Sequence, residues 1–354
     1  MRKVFLGMAA LAMVFASCEK EENVPNLEQE KVDMSDFYVY TDSESDEASR
    51  PNGESKSCYS MMNLNRLLNE NPNLYKKMYD IEYHSRSLLA GKKPDGVGNG
   101  NGGGGNGGGG TDPGTGDNLG IVTIPVYVHV IYANSNQNIS DNQISSQISV
   151  LNNDFRKTNS DINQVPSLFS GLATDAEIQF TLAGTYRHAD PTTSWGTNDA
   201  MKYAYPPITP QTHLNIWVCN IGGGILGYAQ FPGGPSSTDG VVISPQYFGD
   251  TGYVAAPFNK GRTATHEVGH YLNLRHIWGD GRCNRDDYVA DTPTSDRPNY
   301  GCPSFPTNHC NSTDMTMNYM DYTDDACMYM FSNGQKDRMR TVFASGGPRA
   351  AMAN

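Results

Sequence analysis

The sequence predicts an α+β fold on three observations. Runs of β-forming residues alternate with two amphipathic helical stretches between Leu119 and Tyr271. After Gly279 the chain is rich in Gly, Pro, Asn and Asp and poor in periodic apolar residues. Four of the seven cysteines, Cys283, Cys302, Cys310 and Cys327, fall in that irregular part, before a terminal helix predicted from about Asn333 to Phe343. Such a pattern builds a sheet with helices packed on it, followed by a smaller region that needs cross-links for its stability.

Arg2 and Lys3 precede an apolar run from Val4 to Ala16, too short to span a bilayer, so residues 1–17 read as a signal peptide. The run ends Phe15-Ala16-Ser17-Cys18, which resembles a bacterial lipobox, with lipid attached to Cys18. Ordinary cleavage after Ala16 is the alternative. Glu19-Lys20-Glu21-Glu22 resembles an acidic tag for the outer surface, so the chain is expected outside the cytoplasm. It would be a surface-exposed outer-membrane lipoprotein, or secreted after processing. A net charge of −12 argues against nucleic acid as a partner and against a basic patch on anionic lipid; contact with membrane is expected only through the anchor.

Residues 18–90 divide into a polar, acidic tether up to residue 57 and a helical piece. Asn71-Pro72 suits a helix start, with Leu74, Met78 and Ile81 at helical spacing and no core of its own. Residues 91–118 form a linker centred on Gly102–Gly105 and Gly107–Gly110, which cannot pack and is open to cutting. A helical piece, a cuttable linker, a large domain over 119–345 and a tail over 346–354 suggest a propeptide; a spacer is the alternative. Within the domain, Ile121–Tyr132 reads as a strand, with Pro125 hinting at an edge or bulge. Ser140 caps a helix that lines up Ile144, Ile148, Leu151 and Phe155. Further strands are predicted at Glu177–Leu182, Leu214–Ile221 and Gly240–Ser244. Ile225–Ala229 is a further extended candidate. A second helix begins near Arg262.

That helix carries His266-Glu267-Val268-Gly269-His270, and His276 follows six residues on. Residues four apart share a helix face, so His266 and His270 present two imidazoles to one metal ion, with Glu267 beside them. His276 can join them only if the chain turns first. Asn273 is placed for that turn, because Asn follows Gly in tolerating a left-handed backbone. Three neutral imidazoles leave the charge of a zinc ion largely uncompensated, which acidifies water there, and Glu267 can take the proton.

The motif resembles the metzincin signature. Together with Val289-Ala290-Asp291-Thr292-Pro293 and Asn318-Tyr319-Met320-Asp321-Tyr322, the chain from about Leu119 to Phe343 looks like the pappalysin or cytophagalysin family. The resemblance implies a zincin with an upper twisted mixed sheet, a backing helix and an active-site helix above a lower, disulfide-tied subdomain. It implies a zinc endopeptidase acting on proteins and peptides and made as a latent zymogen. Met320 would be the Met-turn floor and Tyr322 a hydrogen-bond donor to the reacting carbonyl. It also implies pairs Cys283–Cys310 and Cys302–Cys327, although the residues alone allow three pairings, or a structural zinc site. Asp287, Asp291 and Thr292 would hold calcium unless they only form turns. Cys58 would be the latency thiolate on zinc, making the propeptide its own inhibitor; an unpaired Cys58, or one bonded to Cys219, is the alternative. Asp324 and Asp325 are candidates for favouring basic side chains. From another class, the chain would be a surface lipoprotein binding module with a structural zinc.

Overall fold

The computed structural model describes residues 32–41, 58–91 and 117–353. The signal peptide, Cys18 and residues 92–116 of the linker lie outside the described residues. Two helices, α1 (Ser60–Glu70) and α2 (Leu74–Ala90), precede the large domain. There the order is β1 (Val122–Tyr132), α3 (Asp141–Phe155), β2 (Ile178–Ala189), α4 (Ala200–Ala204) and β3 (Leu214–Val218). It continues with β4 (Gly227–Ala229), β5 (Val241–Ile243), α5 (Arg262–Tyr271), the short β6 (Asn308–His309) and β7 (Ser312–Thr313), and α6 (Asn333–Thr341).

The main sheet runs β2-β1-β3-β5-β4, with β4 alone antiparallel and at one end. β1 is central, so the edge expected from Pro125 is wrong. Pro125 lies just before the stretch that pairs with β3, where only β2 adjoins it, and its missing donor is tolerated there. The irregularity is real: opposite Val126 and Tyr127 the register skips Ala183 on β2. Ser140 accepts a hydrogen bond from the Gln143 amide and starts α3, whose Ile144, Leu151 and Phe155 are fully buried beneath the sheet. All ten residues of α5 are buried, and it packs against α3, β4 and β5. Beyond α5 two disulfides, Cys283–Cys310 and Cys302–Cys327, tie the turn-rich region, which excludes a zinc site on those four thiols.

The N-terminal segments differ from expectation in two ways. Asn71 closes α1 rather than opening a helix, and Asn73 precedes α2 without a side-chain cap. Residues 32–41, expected to be a tether, pack: Val39 is buried with Met61, Leu64, Leu67, Leu68, Leu74, Met78 and Phe231 in one cluster. Apolar side chains too few to form a core alone gain one by closing over Phe231 of the large domain.

Polar contacts fix the same docking. Arg338 of α6 holds the Glu82 carboxylate of α2 with two hydrogen bonds, at 2.7 and 3.2 Å, and both side chains are buried. Burial alone would raise the Glu82 carboxyl, but Arg338 and Arg86 hold it down at about 2, against an ordinary value of 4.5. The pair therefore contributes its full stabilisation above about pH 4.5 and loses it as pH falls toward 2. We expect the α2 amides of the uncut chain to lose hydrogen-exchange protection across that interval, and a Glu82→Gln variant to lack this dependence. Identical acid profiles for the two would contradict the assignment.

Candidate metal centre

Helix α5 brings His266 and His270 onto one face, and its end brings in the third ring. Asn273 adopts φ +74°, and the Leu274 amide returns to the Gly269 carbonyl at 2.9 Å, which reverses the chain so that His276 points back. Arg338 Nε donates to the Asn273 carbonyl at 2.8 Å and secures the turn. The three Nε2 atoms stand 3.1 to 3.3 Å apart, and all three histidines are buried.

Each ring is fixed by its other nitrogen. His266 Nδ1 lies 2.7 Å from the Tyr319 carbonyl and His270 Nδ1 2.8 Å from the Leu274 carbonyl. His276 Nδ1 lies 2.5 Å from Asp280 Oδ1. These oxygens can only accept, so Nδ1 carries the proton and Nε2 presents a lone pair. Three lone pairs turned inward at this spacing repel unless a cation lies among them. Nitrogens bound tetrahedrally to zinc at roughly 2.0–2.1 Å stand about 3.3 Å apart. The donor set fits zinc. Trp278 stacks on His276 with ring centres 4.3 Å apart and supports that ring from the side.

Met320 is fully buried, and a Cβ added at Gly269 would fall 2.4 Å from its sulfur. Glycine inside the motif thus lets the sulfur lie against α5 between the two histidines. Tyr322 packs edge-on to His276 at 4.8 Å, and its hydroxyl lies 3.5 Å from the Cys58 carbonyl. Burial pushes the Tyr322 phenol well above its ordinary value, so it stays a donor.

Beneath the centre, Tyr319 donates its hydroxyl to Asp154, which also accepts from Thr265. Arg262 makes two 2.7 Å hydrogen bonds to Asp161. Burial pushes Asp154 up to about 6 despite Arg262 beside it.

The N-terminal segment enters this site. Cys58 is a free, buried thiol, as is Cys219, so the two are not bonded. Its sulfur and the three imidazoles place one ligand atom each within 4.8 Å of one another. The sulfur is also 3.4 Å from Glu267 Oε2, and Ser60 donates its hydroxyl to the same oxygen at 2.6 Å. Burial, then the Glu267 carboxylate, push the Cys58 thiol up where no metal charge acts on it. The free side of β4 is covered as well: the Tyr59 amide donates to the Gly227 carbonyl, the Ala229 amide to Ser60, and Asn63 to the Ala229 carbonyl. Cys58 and Gly227 bridge in parallel.

Other candidates fall elsewhere. Asp287 accepts from Thr292 and the Val289 amide, and burial followed by Asp286 pushes its carboxyl well up. Asp291 accepts from Ser332 and the Gly334 amide at the start of α6. Asp325 is buried and accepts from the Lys260 and Arg262 amides at the start of α5, which corrects the expectation that it selects substrate. Sequence reasoning missed Asp280, Ser60 and Arg338. Only Asp280 left a signal, four residues after His276.

A family model described as pregnancy-associated plasma protein-A matches residues 206–344. An extracellular metalloprotease of Arthroderma benhamiae is 34% identical over 226 residues, covering 62% of this chain and 76% of the relative. Extracellular metalloprotease 1 of Coccidioides posadasii is 34% identical over 237 residues, covering 63% and 77%. Among solved structures, mature mirolysin of Tannerella forsythia in complex with a cleaved peptide is 48% identical, with TM-score 0.63, covering 66% of this chain and 95% of that one. A promirolysin mutant from the same organism is 40% identical, with TM-score 0.70, covering 84% and 97%.

Removing the carboxylate that orients His276 should weaken the centre without dismantling it. We expect Asp280→Ala to lower zinc affinity about 10- to 100-fold in a chelator competition, with unchanged circular dichroism. Equal affinity would show that the His276–Asp280 contact does not set the ring.

Proposed function

The chain belongs to the pappalysin family of metzincin metalloproteases, and from that premise we propose that His266, His270 and His276 hold a catalytic zinc and Glu267 is the general base of a secreted endopeptidase. The family makes it a zinc metalloendopeptidase with a zymogen form and an extracytoplasmic location. The single observation that carries the residue assignment is the convergence of three Nε2 lone pairs beside a buried carboxylate.

A zinc ion there supplies a Lewis acid that acidifies water and polarises the substrate carbonyl. Glu267 takes the proton of the attacking water and returns it to the departing amine. Tyr322 donates its hydroxyl to the carbonyl oxygen as negative charge develops, a role supported by its present reach toward the Cys58 carbonyl. Met320 keeps the floor beneath the rings closed to water. Strand β4 offers the Gly227 carbonyl and both polar groups of Ala229 to an extended peptide in antiparallel pairing. Gly227 serves a second purpose, since a side chain there would press on Glu267 and on the Val242 carbonyl.

Latency follows from what residues 58–63 occupy. Cys58 is placed to be the fourth zinc ligand, and the metal charge would hold its sulfur as thiolate against burial. Ser60 covers the base and, with Tyr59 and Asn63, fills the free edge of β4. The segment runs parallel to β4 at Gly227, opposite to an antiparallel substrate. Cutting in the Gly-rich linker is proposed to release it. Export by residues 1–17 and a lipid anchor on Cys18 belong to the same proposal. So does calcium at Asp287, Asp291 and Thr292, supported by the burial of the Asp287 carboxylate and its contact with the Thr292 hydroxyl.

Three outcomes test this reading. Glu267→Ala should reduce kcat for a protein substrate by at least about a hundredfold while retaining zinc. Activity that survives the change would remove the mechanism. Cys58→Ala should raise the activity of uncut precursor toward that of the mature form, and an unchanged precursor would refute the thiolate latch. Added calcium should raise Tm in the parent and not in Asp287→Asn; a shift of equal size in both would place calcium elsewhere.

A further inference from the structure

Twenty residues before Cys58, Tyr38 occupies a clip on the large domain built by Arg275, Gly279, Arg285, Asp286 and Tyr288. Its ring lies between the guanidinium groups of Arg275 and Arg285, 4.4 and 4.1 Å from its centre. Its hydroxyl has two carbonyl acceptors, Gly279 at 2.5 Å and Asp286 at 2.7 Å. Its backbone is held on both sides: the amide donates to the Tyr288 hydroxyl at 2.9 Å, and Arg275 Nη2 donates to the carbonyl at 2.6 Å. Phe37 stacks on Tyr288, whose ring is also faced by Arg275, Arg86 and Arg338.

This is a built site. Arg275 is buried, and its Nη1 has no hydrogen-bond partner although Nη2 is engaged. The loop that supplies Gly279, Arg285, Asp286 and Tyr288 contains Cys283 and is braced by its bond to Cys310. Two carbonyls converging on the phenol distinguish tyrosine from phenylalanine, because only the hydroxyl can donate to them. On the N-terminal segment Asp36 pairs with Arg86 of the same segment, and Glu82 pairs with Arg86 and with Arg338 of the large domain. When that segment leaves, Arg275 loses the Tyr38 ring and carbonyl, Arg285 loses that ring, and Arg338 loses the Glu82 carboxylate.

We propose that this clip is a second peptide-binding site, which takes an extended strand carrying a tyrosine. Residues 36–39 fill it in the precursor, and a like segment of a protein substrate fills it in the mature enzyme. The proposal rests on departure of the N-terminal segment at activation, but its test does not need turnover.

The test uses mature Glu267→Ala protein, stripped of its N-terminal segment, and a fluorescein-labelled peptide of residues 33–40 read by anisotropy. We expect saturable binding that a short active-site peptide does not displace and that the uncut precursor does not show. A Tyr38→Ala peptide should bind at least roughly tenfold more weakly, and Tyr38→Phe should fall between. Tyr288→Ala and, as a milder change, Arg285→Ala should weaken binding in the same way. In active enzyme these two changes should leave hydrolysis of a short peptide unaltered and raise KM for a protein substrate bearing the segment. No binding, displacement by the active-site peptide, equal binding by precursor, or equal binding of the Tyr38→Ala peptide would each overturn the proposal.

Discussion

Everything in this molecule is arranged around three imidazole nitrogens held 3.1 to 3.3 Å apart with their lone pairs facing inward. That arrangement is unfavourable without a cation, and the protein enforces it from outside. A carbonyl from the Met-turn, a carbonyl from the turn after α5, and the Asp280 carboxylate each accept a hydrogen bond from one Nδ1. The binding energy of the metal is therefore also folding energy for α5, the turn at Asn273 and the segment around Met320.

Close approach is achieved with small residues at specific places. Gly269 lets the Met320 sulfur reach α5, and Gly227 lets Glu267 lie beneath the edge strand. Asn273 supplies the left-handed turn, and Arg338 holds that turn by its carbonyl. Arg338 also clasps Glu82 of the N-terminal segment. One buried guanidinium thus links the turn that aims His276 to the helix that must leave on activation. The N-terminal segment acts at three separated points: Cys58 and Ser60 at the centre, Glu82 on α6, and Tyr38 on the loop after Gly279.

The metal centre was legible because its information is local. Spacing four on a helix fixes His266 and His270, and the need for a turn at Asn273 follows from the position of His276. Asp280 sits at a suggestive spacing, but the direction of its side chain depends on Gly279 and the loop beyond. Ser60 and Arg338 act across more than 200 and 60 residues respectively, on Glu267 and Asn273, and no local pattern announces such contacts. The fold was legible where burial is one-sided. It failed where strands lose alternation: β2 runs on to Ala189, but its outer half is largely exposed at the sheet's edge and carries no apolar period past Leu182. Pro125 misled because a central strand can still have a stretch with one neighbour. The acidic stretch before Cys58 looked unable to pack, yet three apolar or aromatic residues, Phe37, Tyr38 and Val39, are enough when the partner surface is already folded.

The central claim concerns the four ligand atoms that Cys58 and the three histidines bring together. X-ray absorption at the zinc edge, recorded on precursor and on mature protein, reads them directly. The account predicts three nitrogens at about 2.0–2.1 Å in both, with one sulfur at about 2.3 Å in the precursor that is replaced by oxygen after activation. A precursor that binds zinc without a sulfur neighbour, or mature protein with fewer than three nitrogens, would contradict it.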